Sequence, residues 1–234
     1  MDDGELLRSI LADVELAAAA FSRSPEAAVI HCPQWTVADL LAHHGGVLRW
    51  AETIVRTGEP GAEQLEPAEH NEERLAWYLD AAEQFVAAAR RSDRDQACWT
   101  FGRPPGRAWF WIRRQALEAA VHRWDAERAV GAPTDIVTDL ACIGITEIVE
   151  DLFPRQVALG RSPELSCAVK LRAEDADQTW VLSPHAGESR AAVAAPASVL
   201  FLLLWRRAGI EDAGVSFTGS QTLLNELRAC RFAP

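Results

Sequence analysis

Four stretches of this 234-residue chain, at about 4–22, 36–57, 68–91 and 107–130, carry apolar residues at spacings of three and four. In the first, Leu7, Leu11, Val14, Ala18 and Phe21 fall on one face of a helix. Between and after the stretches stand "SRSPEAAVIHCPQ", "TGEPGAEQLEP", "SDRDQACWTFGRPPG" and "GAPTD", each holding the proline or glycine at which a helix stops. A helix with one apolar stripe must bury it against another element. Four such helices do so most simply as an antiparallel bundle, so residues 1–133 are expected to form a four-helix bundle.

Past Pro133 the pattern changes. A fifth helix at about 138–157 leads into "CAVKLRA", "TWVLS", "RAAVAA" and "GVSFTG", which read as short strands, with one strongly apolar helix, "PASVLFLLLWRRAG", among them. Residues 134–234 are therefore expected to form a small α+β domain, and the chain as a whole is read as mainly α. A hydrophobic share of 49% is enough to supply both cores.

Charge and composition exclude several classes of function. The net charge of −11 opposes a nucleic-acid or anionic-membrane partner, because either needs a basic surface. The longest apolar run, Val199 to Trp205, is far too short to span a bilayer, and "MDDGELLRSI" lacks the features of a signal peptide. The expectation is a cytoplasmic protein, a monomer or weak homodimer, whose partners are small molecules. Five scattered cysteines without a C-x-x-C pair are expected to be reduced, with Cys32 structural.

The chemistry concentrates on the second and fourth helices. In "WTVADLLAHHGGVLRWAETI", Thr36 reads as an N-cap with Asp39 three residues on. Thr36, Leu40, His43, Val47, Trp50 and Ile54 form one stripe, which places His43 inward and His44 about 100° away from it. In "LEAAVHRWDAE", Glu118, His122 and Asp125 project as one stripe, continued upstream by Trp111, Arg114 and Gln115. Taken singly, His43 reads as a core histidine and Glu-x-x-x-His as a solvated face. Together, two imidazoles and a carboxylate suit a divalent metal and leave one coordination position open. Asp125 can hold the His122 ring or be solvated, and Arg114 is equally ambiguous. Arg206 and Arg207, ending the apolar helix, either bind a substrate carboxylate or complement a helix C-terminus.

These motifs carry a resemblance. The segment "HCPQWTVADLLAHHGGVLRWAE" resembles the Cys-Pro-x-Trp-Thr…Leu-x-x-His stretch of the mycothiol-dependent maleylpyruvate isomerase family, whose N-terminal domain is a DinB-like metal-binding bundle, and "ALEAAVHRWDAE" is similar to its second metal motif. "APASVLFLLLWRRAG" resembles part of the sterol-carrier-like domain that follows the bundle. The resemblance implies a zinc ion held by His43, Glu118 and His122, with mycothiol, the thiol of the actinobacterial members, as cosubstrate. The activity it implies is isomerisation of, or S-transfer to, a small anionic electrophile. The residues alone leave two alternatives open. One is a metal-dependent hydrolase that uses zinc-activated hydroxide, and the other is a bundle that binds without catalysing.

Overall fold

The computed structural model describes residues 1–61, 71–131, 133–182 and 189–233. The expected start of the third helix at 68–70 and the last residue of "TWVLS" lie outside them. The chain divides into two compact units, Met1–Asp135 and Ile136–Pro234.

The first unit is a bundle of α1 (Asp3–Arg23), α2 (Val37–Thr57), α3 (Asn71–Arg91) and α4 (Ala108–Ala129). The helices begin and end where the local chemistry provides for it. Asp2 with Glu5, and Thr36 with Asp39, form reciprocal capping boxes at the starts of α1 and α2. Gly58 ends α2 in the left-handed conformation, which costs glycine little. Ile10, Leu40, Leu48, Ile54, Phe85 and Leu117 are fully buried and form the centre of the core.

One close approach decides what the site will contain. At Gly45 an added Cβ would lie 2.2 Å from the Trp77 ring, so that ring of α3 rests on the bare backbone of α2. This seats α3 against α2 and brings the neighbouring Tyr78 to His44. A second buried cluster ties α4 to α1 and to the end of the unit. Arg123 pairs with Asp13 at 2.8 Å and with Glu127 at 2.7 Å, and Glu127 also accepts from the Thr134 backbone and hydroxyl.

In the second unit, α5 (Thr138–Glu147) runs through a π-helical turn, Ile148–Leu152, into α6 (Phe153–Ala158), the fifth helix that the sequence predicts. All four expected strands form: β1 (Ala168–Ala173), β2 (Thr179–Leu182), β3 (Ser189–Ala195) and β4 (Ser216–Thr218). Their order is β2-β1-β3-β4, with β1 and β3 parallel and the outer pairs antiparallel. The apolar helix, α7 (Ala197–Leu204), is shorter than its sequence suggests. Phe201 of α7 lies where a Cβ on Gly144 of α5 would be, 2.2 Å away, so the two helices cross closely. A further helix, α8 (Gln221–Ala229), capped by Ser220, is not foreseen by the sequence reading. No described helix is long and apolar enough to cross a membrane.

Candidate functional site

The ionisable stripe of α4 is buried rather than solvated. Arg114, at 1% exposure, forms an ion pair with Glu118 one turn on, and His122 and Asp125 are also buried. Burial alone would raise the Glu118 carboxyl, but Arg114 and His122 outweigh it and hold the group well below the usual carboxylate range. Glu118 is therefore a charged carboxylate in the interior of the bundle. Burial would likewise lower the His122 imidazole, yet the carboxylates of Asp125 and Glu118 raise it. The Asp125 contact acts through charge, since its oxygen is 3.7 Å from Nδ1, beyond hydrogen-bond reach.

Opposite this stripe α2 presents two histidines. The ring centroids of His43 and His122 are 5.5 Å apart and nearly perpendicular, and those of His44 and His122 are 5.2 Å apart. The helical phase differs from the one read in the sequence. His44 is 1% exposed on a stripe with Leu41, Leu48 and Val55, whereas His43 is only half-buried. The reason is that α2 packs on both α3 and α4, so it has two inward faces, and the stripe toward α3 is the more deeply buried. His44 Nδ1 lies 2.9 Å from the Tyr78 hydroxyl, and its Nε2 has no hydrogen bond. Burial, reinforced by the neighbouring His122, lowers His43 to about 4 and His44 well below the ordinary imidazole value, so both rings are neutral donors.

The donors suit a divalent ion in kind, and His122 and Glu118 suit it in spacing as well. Neither His122 ring nitrogen has a hydrogen bond, although Nε2 lies 3.0 Å from Glu118 Oε2, because the ring N–H does not point along that contact. Two donors that share one ion at about 2.0–2.1 Å stand roughly 3.0–3.4 Å apart, which that contact matches. Among the described residues, however, no three His, Cys, Asp or Glu side chains stand gathered as a complete shell. Glu118 is held by Arg114 instead.

Aromatic rings surround the cluster. The turn through Cys32 and Pro33, closed by the Trp35 N–H donating to the Cys32 carbonyl at 2.8 Å, sets the Trp35 ring 4.8 Å from His43. Nearby, His31 and Trp124 are 5.7 Å apart. Two turns along α2 and α4, Trp50 and Trp111 meet edge to face at 5.1 Å, and both meet Trp99. The sequence reading placed His44 off the inward stripe, met Trp35 only within the Cys-Pro-x-Trp-Thr stretch and did not single out Tyr78. Their signals were present only as a doubled histidine, a tryptophan after a turn proline, and a helical tyrosine.

Arg206 and Arg207 belong to the second unit. Arg207 donates to the Trp205 carbonyl and lies over the Trp205 ring, 5.7 Å from its centroid. Arg206 is exposed and has a left-handed backbone, φ +60°. All five cysteines are free thiols, with Cys98, Cys142 and Cys230 buried.

Sequence profiles place most of the chain. Residues 7–127 match the profile described as the mycothiol maleylpyruvate isomerase N-terminal domain, and residues 139–226 match the C-terminal domain of the same enzyme family. Two solved structures are similar, those of the mycothiol-dependent maleylpyruvate isomerase and of a histidine-to-alanine mutant of it. Each has TM-score 0.60 and 16% identity and covers 93% of both chains, a likeness of fold. No curated protein sequence matches.

Proposed function

Because this chain belongs to the mycothiol maleylpyruvate isomerase family, we propose that it is an enzyme that uses mycothiol to isomerise a small electrophilic cis alkene, or to transfer the thiol to an electrophile. The observation that carries the reading is the cluster of α2 and α4, where the neutral imidazole of His43 and the His122 ring, neither of whose nitrogens has a hydrogen bond, stand beside the charged carboxylate of Glu118. His43, Glu118 and His122 are the proposed ligands of one divalent ion, zinc by donor type. Bound there, the ion would supply the positive charge that keeps a thiol deprotonated at neutral pH.

The chain's own residues have distinct parts in this reading. Arg114 keeps Glu118 ionised and oriented in an interior that would otherwise protonate it. Asp125, buried beside Nδ1 of His122, sets the charge that this ring feels and acts as a positioning residue. Trp35, half-buried beside His43, offers flat apolar surface for a conjugated substrate. Arg206 and Arg207 stay the proposed contacts for an anionic group on the small-molecule partner. The setting we propose is the cytoplasm, with the chain a monomer or weak homodimer.

In the isomerisation the thiolate sulfur bonds to one alkene carbon and the π pair moves onto the conjugated carbonyl. The carbon–carbon bond, now single, rotates. The pair then returns and expels the thiolate, so no proton or electron is consumed. Transfer stops at the adduct, which takes up one proton. Metal analysis tests the site. Wild-type protein is expected to carry about one divalent ion per chain, and His43→Ala and His122→Ala are expected to lose it while keeping wild-type helix content. Wild-type metal content in both variants would remove the assignment.

A further inference from the structure

The second unit contains a cavity of about 290 Å3. The sheet contributes Leu171, Leu182 and Val193 to its lining, and Leu204, Leu227 and Phe232 come from α7, α8 and the segment after α8. The cavity opens to solvent, and an apolar concavity of this size forgoes the contacts that a close-packed interior would have given its lining.

The charged side chains of the lining are Arg206, Glu211 and Arg228. Glu211 and Arg228 form an ion pair and cancel. Arg206 is exposed, and among the described residues its guanidinium has neither an ion pair nor a hydrogen bond. The cavity therefore carries one uncompensated positive charge, in a chain whose net charge is −11.

The backbone at Arg206 shows that this charge is placed against local preference. The Arg206 N–H donates to the Leu203 carbonyl at 2.9 Å and the Arg207 N–H to the Leu202 carbonyl at 2.7 Å, the Schellman pattern that ends α7. The pattern puts Arg206 at the left-handed position, where glycine is the usual residue because a Cβ crowds the backbone. It is the one non-glycine residue with positive φ among those described. A strained residue beside a cavity is the kind of feature that ligand sites retain.

We propose that this cavity binds a small amphiphile, its apolar body against the leucines and its carboxylate on Arg206. The inference concerns the second unit alone and stands whether or not the thiol reading does; it gives Arg206 to this ligand and leaves the anion contact proposed above to Arg207. At about 290 Å3 the cavity is at the small end of ligand pockets, so the body is a short chain or a single compact group.

Calorimetric titration of the full-length protein with octanoate, octanol, octylammonium and acetate tests the proposal. Octanoate is expected to bind, octanol at least 10-fold more weakly, and the other two not measurably. Arg206→Gly, which relieves the backbone, should unfold at the same or higher temperature and bind octanoate no better than octanol. Leu227→Trp, which fills the cavity, should abolish binding of both, and Val193→Phe does the same service if the first variant fails to fold by circular dichroism. No binding of octanoate to the wild type, undiminished binding by Arg206→Gly, or acetate binding as well as octanoate would each overturn the proposal. So would octanol or octylammonium matching octanoate.

Discussion

Glu118 keeps its charge inside a bundle because Arg114, one turn back on the same helix, accompanies it. Removing one partner of a buried pair costs about 3–5 kcal/mol, because the other charge is left uncompensated. Arg114→Met is therefore expected to lose about that much stability in metal-free protein. If Glu118 is a ligand, added zinc recovers part of the loss, since an ion that binds only the folded state stabilises it. Urea unfolding with and without zinc measures both quantities, and a loss that zinc leaves unchanged argues against Glu118 as a ligand. His44 gives the complementary prediction. His44→Ala leaves the buried Tyr78 hydroxyl unpaired, at a cost of about 1–3 kcal/mol, yet retains metal where His43→Ala loses it. The reversed result would hand the ligand role to His44. At this scale the sequence indicated which residue types meet but not their phase on α2. Two adjacent histidines can be ranked only once the packing of α3, fixed by Gly45 under Trp77, is known.

At the scale of elements, caps and buried pairs hold the site's frame. Thr36→Ala removes the N-cap of the helix that carries His43 and should cost about 1 kcal/mol, read as a lower urea midpoint. Asp13 sets a pH dependence. Burial raises its carboxyl from 3.8 to about 6 despite Arg123 beside it, so the folded state binds the proton more tightly than the unfolded chain. Stability contributed by this group is therefore full below about pH 4 and falls as pH rises through 6, by up to about 3 kcal/mol. Asp13→Asn should flatten that window, and parallel slopes for variant and wild type between pH 4 and 7 would refute the assignment. The bundle helices and four strands were legible because each carries enough periodic apolar residues. The short α8 was not, since two turns with Leu223 and Leu227 inward give too brief a pattern. The early end of α7 was hidden as well, because Arg206 occupies the position where glycine would have marked it.

For the whole molecule, two compact units joined near residue 135 suggest how the chain yields to protease. The joint is pinned by Thr134 on Glu127 and Arg123, so Thr134→Ala should speed cleavage at 131–135 relative to the exposed loop at 159–161. Equal rates in variant and wild type would mean that those hydrogen bonds do not guard the joint. The division of the chain could be anticipated from the change in pattern after Pro133, whereas the cavity of the second unit could not, since it depends on the register of three strands against two helices. The central claim is that the α2–α4 cluster serves a thiol cosubstrate, and its most direct test is turnover of maleylpyruvate by purified, zinc-loaded protein with and without mycothiol. The account predicts cis-to-trans conversion that requires the thiol, passes through no net consumption of it, and disappears in His122→Ala. Hydrolysis of ester or amide substrates that proceeds equally without thiol, with no isomerisation in its presence, would contradict it.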